Sequence, residues 1–270
     1  MEAIQRGQQA IGSFVLGHDP SIVRVAASAG LDFLLIDGEH GLFSDELISQ
    51  FIDAGKGLDI AIMLRCTTER LGDLPALFDH GLDGVIVAGA QSAVDAQHII
   101  SQLKYPPLGH RGLNPFVPTA AYGSANRELF MQAQNDETTI WLLAESQRFL
   151  SEMTEVCTIP GLDGVFFGPY DLSVDLGVPA QIHHESVLRT ISQARSVILR
   201  AGLSAGIFAH DEVSMSTWST LNLNLLTLGF DWSTLHTTWS RWVRSYKGAV
   251  SSENKAGHPT PDSESGKQEG

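Results

Sequence analysis

Phe33-Leu34-Leu35-Ile36-Asp37-Gly38-Glu39-His40 decides how this chain is read. Four apolar residues run on without alternation and then stop at a knot of ionisable side chains. A uniform apolar run suits a strand buried on both faces of a parallel sheet. Charges placed directly after it are costly unless they pair or bind something. Outward from this stretch the same kind of run recurs, at residues 13–16, 33–37, 61–65, 84–88, 139–144, 164–167, 204–208 and 225–228. Amphipathic stretches separate the runs and predict helices over 21–29, 44–56, 70–79, 93–103, 146–157, 185–201, 212–221 and 233–246. Ser21 and Ser44 stand as N-caps, and Gly30, Gly81 and Gly202 follow the periodic segments as left-handed helix stops. The connector over 106–137 is rich in Gly, Pro and Asn and predicts an irregular loop with a short helix near 128–134.

Eight strand-and-helix units predict an α/β fold, a closed (β/α)8 barrel. The glycine fingerprint G-x-G-x-x-G of the open dinucleotide-binding sheet does not follow the first strand. A length of 270 residues suits one barrel, assigned to 1–247. Residues 248–270 hold almost nothing apolar and predict a disordered polar tail. A net charge of −14 argues against nucleic acid as a partner. No apolar run reaches the roughly 18 residues of a membrane span, and the polar start shows no secretory signal. Two distant cysteines, Cys66 and Cys157, read as reduced thiols, so a cytoplasmic enzyme is expected.

Barrel chemistry sits at the C-terminal ends of the strands. There the sequence places Asp37, Glu39 and His40, then Arg65, Glu145, and Gly168-Pro169-Tyr170-Asp171. Glu145 and Asp171 suit a hard divalent cation, or read as two carboxylates that satisfy helix N-termini. His40 reads as a general base or as a hydrogen-bonded loop histidine. Arg65 either faces an anionic substrate or forms an ion pair with Asp37 or Glu39. The Gly168-Pro169 turn could offer backbone N–H groups to a carboxylate, although such turns are also common without function.

At these residues the chain resembles the metal-dependent class II pyruvate aldolases of the HpcH/HpaI family, which include the 4-hydroxy-2-oxoheptanedioate and 2-dehydro-3-deoxyglucarate aldolases. The resemblance rests on the segment from Ala29 through His40, Leu64-Arg65, Lys104-Tyr105-Pro106-Pro107-Leu108-Gly109-His110-Arg111-Gly112, Glu145-Ser146-Gln147, the run from Gly161 to Ser173, and Leu228-Gly229-Phe230-Asp231. It covers about residues 11–246. The resemblance implies a barrel of the phosphoenolpyruvate/pyruvate-binding type. It implies Mg2+ or Mn2+, with Co2+ a further candidate, on Glu145 and Asp171, and a 2-oxo acid and an aldehyde as small-molecule partners. It assigns Arg65 to the keto oxygen, His40 to proton transfer with Asp79 orienting it as a dyad, and the backbone around Gly168, Pro169 and Tyr170 to the substrate carboxylate. It also implies a homohexamer in which the last helix, with Trp232, Leu235, Trp239, Trp242 and Val243, packs on a neighbour.

The chain departs from the family at Leu143, where relatives carry Gln, at Ala88 for Pro, at Pro118 for Arg in a loop expected to shape the aldehyde pocket, and at Tyr170 for a small residue. These changes point to an unusual acceptor. Rival readings are a related enolate-forming barrel, decarboxylating oxaloacetate as macrophomate synthase does or acting like citrate lyase, and a barrel retained without catalysis. A CoA-type enzyme calls for a basic patch, and the sequence has no such cluster.

Overall fold

A computed structural model describes residues 9–256. Its strands are β1 (Ala10–Val15), β2 (Phe33–Asp37), β3 (Ala61–Thr67), β4 (Gly84–Ala88), β5 (Thr139–Ala144), β6 (Gly164–Phe167), β7 (Ser204–Ala209) and β8 (Leu225–Phe230). All pair in parallel with their sequence neighbours, and β8 pairs back onto β1, closing the barrel. The expected (β/α)8 barrel is the observed fold. The helices are α1 (Ile22–Ser28), α2 (Asp45–Gly55), α3 (Leu74–His80), α4 (Ala93–Leu103), α5 (Arg127–Glu137), α6 (Gln147–Ser151), α7 (Met153–Val156), α8 (Pro169–Asp175), α9 (Glu185–Arg200), α10 (Glu212–Ser219) and α11 (Asp231–Ala256). Side-chain caps from Ser44, Ser92, Ser146 and Asp211 fix the starts of α2, α4, α6 and α10.

Two apolar layers follow from the strand geometry, because successive side chains point to opposite faces. Inward residues, among them Phe14, Phe33, Leu35, Met63, Ile86, Trp141, Leu143 and Phe166, fill the barrel. The alternate set, including Leu34, Ile36, Ile62, Leu64, Val85 and Val87, packs outward on the helices. Both sets are buried, which is why the strands read as uniform apolar runs.

A repeated device locks the floor of the barrel. The tripeptides Gly30-Leu31-Asp32, Gly81-Leu82-Asp83, Gly161-Leu162-Asp163 and Asn222-Leu223-Asn224 precede the even-numbered strands. Each begins at a positive φ: 83°, 114°, 89° and 47°. Each ends in a side-chain oxygen that accepts a backbone N–H from the preceding odd-numbered strand. The donors are Ile11, Ile62, Ile140 and Ala205, at 2.7, 2.8, 2.7 and 3.1 Å. The left-handed residue turns the chain off its helix, and the carboxylate or amide staples two strand starts together.

The described chain divides into two units, one ending at Asp231 and one beginning at Trp232. The second carries α11, which runs to Ala256 and so extends helix beyond Gly248, where the polar tail was expected to begin. Adding residues to an existing helix costs far less than nucleating one, so polarity alone does not end it. Residues 257–270 lie outside the described residues. Among the described residues no helix is long and apolar enough to cross a membrane.

Candidate active site

Strand β2 ends on Asp37, which is 1 % exposed. Its carboxylate takes two hydrogen bonds from Arg65 at the neighbouring position of β3, Nε to Oδ1 at 3.0 Å and Nη2 to Oδ2 at 2.7 Å. The same Oδ1 accepts the backbone N–H groups of Glu39 and His40 at 3.3 and 3.2 Å. One aspartate thereby fixes both the guanidinium and the turn bearing the histidine. Gly38 is needed in that turn, since a Cβ there would lie 2.9 Å from the Arg65 carbonyl oxygen. The far face of the guanidinium rests on the Phe14 ring, 4.7 Å from its centroid. Of the alternatives for Arg65, the ion pair with Asp37 is present, and it leaves the side chain at the wall of a cavity.

That cavity, about 210 Å3, opens at the C-terminal end of the barrel and is lined by His40, Arg65, Gly168, Pro169, Tyr170 and Asp171 together with apolar side chains. Glu145 stands beside it; a Cβ on Gly168 would lie 3.1 Å from the Glu145 Cβ. Burial, then the negative charges of Glu39 and Asp171, push the Glu145 carboxyl up to about 7, against a smaller opposing pull from Arg65. The Glu39 Oε2 atom is buried without a hydrogen-bond partner, although Arg65 Nε lies 3.4 Å away. Glu145 thus sits in the negative field of Glu39 and Asp171 with Arg65 opposing, although among the described residues no three acidic, histidine or cysteine side chains gather closely enough to form a metal-holding group. Oxygen donors of this kind fit a hard divalent cation. A larger groove of about 310 Å3 between the outer helices, bounded by Gln147, Leu150, Thr190 and Val197, has no ionisable side chain in its lining.

The turn after β6 is narrower in what it can bind than its sequence implies. The Gly168 N–H is already donated to the Ala144 carbonyl at 3.0 Å, and Pro169 has none. The groups without an acceptor among the described residues are the N–H of Tyr170 and Asp171, in the open first turn of α8.

Asp79 and the loop around Pro118 lie elsewhere. Helix α3 runs back from the mouth toward the floor, where Asp83 donates its N–H to the Ile62 carbonyl at the start of β3. Asp79, in the last turn of α3, is therefore at the opposite end of the barrel from His40. Its carboxylate is held by Arg111, which is 4 % exposed and stacks on Tyr105 and Phe78 at 4.6 and 5.2 Å. The Pro118 loop packs there too, with Thr119 Oγ1 donating to the Asp79 carbonyl at 3.0 Å. Neither the His40–Asp79 dyad nor a Pro118 contribution to the cavity exists within one chain. Sequence spacing cannot tell the two ends of a helix apart in space.

Sequence reading also passed over Glu39 as a third carboxylate and the aromatic lining from Phe14, Phe166, Phe208 and Phe230. A strand-end phenylalanine looks like core. Only the count of rings at the tips of β1, β6, β7 and β8 hints otherwise.

The HpcH/HpaI aldolase/citrate lyase family model matches residues 10–231, the whole stretch that builds the barrel and its mouth. The chain belongs to the HpcH/HpaI family. Among its relatives is the 2-keto-3-deoxy-L-rhamnonate aldolase of Klebsiella pneumoniae, 30 % identical with 84 % of each chain covered. Another is the hydroxypyruvate/pyruvate aldolase of Cupriavidus necator, 28 % identical with 85 % of each covered. The solved HpcH/HpaI aldolase of Desulfitobacterium hafniense superposes with a TM-score of 0.84 at 28 % identity, covering 91 % of this chain and 95 % of that one. The HpcH/HpaI resemblance read from the motifs is thus borne out over the barrel.

Proposed function

We propose that this HpcH/HpaI member is a divalent-metal-dependent pyruvate aldolase, which makes or breaks the bond between pyruvate and an aldehyde in a 4-hydroxy-2-oxo acid. The observation that carries the reading is the convergence of Arg65, His40 and Asp171 on one cavity with Glu145 beside it. Glu145 and Asp171 would hold Mg2+ or Mn2+, with Glu39 adding charge nearby. A bound divalent ion supplies Lewis-acid stabilisation of charge at the 2-oxo oxygen. Arg65, immobilised by Asp37 and Phe14, adds fixed positive charge at the same end of the substrate. His40 takes the proton that leaves the pyruvate methyl. That carbon then bonds to the aldehyde carbonyl carbon, whose oxygen gains a proton, and cleavage runs the transfers backward. The N–H groups of Tyr170 and Asp171, open in the first turn of α8, would receive the substrate carboxylate. No lysine lies among the cavity's lining residues to form a Schiff base. The buried free thiols Cys66 and Cys157 support a cytoplasmic setting.

A homo-oligomer, a hexamer by resemblance, accompanies this reading. Since Asp79 and the Pro118 loop share the floor, any contact of theirs with His40 needs the floor of a second copy against the mouth of the first. The exposed Trp232, Trp239 and Trp242 of α11 offer a separate apolar surface for assembly.

The test is solvent-deuterium exchange into the pyruvate methyl with Mn2+ present, followed by mass. Exchange that EDTA and Glu145→Ala both abolish is expected; exchange indifferent to both would refute the metal-dependent mechanism.

A further inference from the structure

We infer that the acceptor of this enzyme is an apolar aldehyde, aromatic or branched, and not a hydroxylated one. The inference rests on the aldolase reading above and names the substrate class of the same cavity. The cavity's lining mixes two kinds of side chain. His40, Arg65 and Asp171 supply the charge that a 2-oxo acid head needs, with Arg65 held against Phe14. The rest is apolar or aromatic: Phe14, Phe166, Phe208 and Phe230, near the tips of β1, β6, β7 and β8, with Leu143 and Tyr170.

These rings form one continuous surface. Phe14 stacks on Phe230 at 4.8 Å between centroids, and Phe208 meets both edge-on, at 5.6 and 5.3 Å. Tyr170 extends the surface outward, 6.4 Å from Phe208. Phe14 and Phe166 are buried and close the barrel beneath. Phe208 and Phe230 pack on the inner core but are only half-buried, and Tyr170 is exposed, so part of each ring stays open to the cavity.

No serine or threonine is among the lining residues, and the hydroxyls next to Phe14 and on β8 are engaged internally. Ser13 donates to the Leu228 carbonyl at 3.0 Å and Thr227 to that of Ile207 at 3.5 Å. His210, 6.0 Å from the Tyr170 ring, pairs with Asp211 at 3.1 Å. A substrate hydroxyl set against this wall would give up its water and find only the Tyr170 phenol. A ring or branched chain would remove apolar surface from water on both sides and meet aromatic edges and faces. Benzene fits a cavity of about 150 Å3; this one holds about 210 Å3 and opens outward, so a ring set beside the small 2-oxo acid extends into the mouth.

Two measurements on the full chain loaded with Mn2+ test the inference. In aldol addition with pyruvate, kcat/KM for benzaldehyde should exceed that for glyceraldehyde at least tenfold. Tyr170→Ala and Phe208→Asn should each cut that ratio fivefold or more. In calorimetry, 2-oxo-4-phenylbutanoate should bind at least tenfold more tightly than 2-oxobutanoate, and Phe208→Asn should erase most of the gain. Preference for glyceraldehyde, a ratio unmoved by both variants, or equal binding of the two oxo acids would overturn it. Methyl exchange separates the levels: exchange present with glyceraldehyde preferred refutes the apolar acceptor alone, whereas no exchange refutes the aldolase reading and removes its acceptor as well.

Discussion

Arg65 and Asp37 form a two-pronged ion pair, 3.0 and 2.7 Å, and the same carboxylate also receives the backbone of His40. The aspartate, spent on these partners, is a positioning residue: it aims two groups that face the cavity. Asp37→Asn keeps an oxygen for the His40 turn but removes the counter-charge. Breaking a buried pair from one side typically costs about 3 kcal/mol, so the denaturant midpoint should fall accordingly. A kcat loss on the order of 100-fold with little change in KM is expected, since the guanidinium loses its aim rather than its charge. A midpoint within error of wild type would contradict this role.

Glu145→Gln should act in opposite directions on stability and on ion binding. Without metal, the side chain is crowded by burial, Glu39 and Asp171. Removing its charge relieves that crowding, so the metal-free variant should melt a few degrees higher than wild type at pH 8. Its Mn2+ affinity should drop on the order of 100-fold by titration calorimetry, having lost a carboxylate ligand. Stabilisation at the expense of function is the usual signature of an active-site charge.

The same residue sets a pH dependence. Glu145 has a folded pKa of about 7 against an ordinary 4.5. Between those values the folded metal-free protein binds a proton that the unfolded chain has released. Stability from this group is complete below about 4.5 and is lost as pH rises through 7. The metal-free melting temperature should therefore decline over that window, and Mn2+ affinity should rise across it, because the ion competes with the proton. A flat affinity from about one unit below to about one unit above that transition would remove Glu145 from the binding site.

At the floor, Lys104 is 1 % exposed and donates to the Asn135 and Thr138 carbonyls, each at 2.7 Å, with Asp163 3.5 Å away. Burial lowers its pKa, opposed by Asp163. Lys104→Met would leave two carbonyls without their donor and take the counter-charge from Asp163, which keeps only its bond from the Ile140 N–H, and a loss of roughly 2 kcal/mol or more is expected by denaturant melting. Activity per folded molecule should be retained, because this ammonium is at the end of the barrel remote from the cavity.

Much of this architecture was legible in the sequence. The eight uniform apolar runs mark the strands because both strand faces are buried, and the ionisable residues at their ends mark the mouth. What sequence could not supply was the end of the barrel to which a helical residue belongs. Asp79 follows a strand whose tip faces the cavity, yet its helix carries it to the floor and into the grip of Arg111. Helix α8 was hidden for a different reason: Gly168-Pro169 reads as a turn, and the proline at N1 in fact starts a helix. The aromatic wall stayed hidden because core and cavity draw on the same residue types.

The four left-handed turns with their asparagine or aspartate staples divide the barrel into equal quarters, each a strand pair fastened at its base. Fastening of that sort holds the base through bonds that no residue at the strand tips shares. Residues above can be exchanged, a phenylalanine for a hydrogen-bonding side chain at β7 or β8, without loosening the closure below. Evolution of a new acceptor preference in such a molecule is a matter of re-dressing the rim while the foundation keeps its pattern.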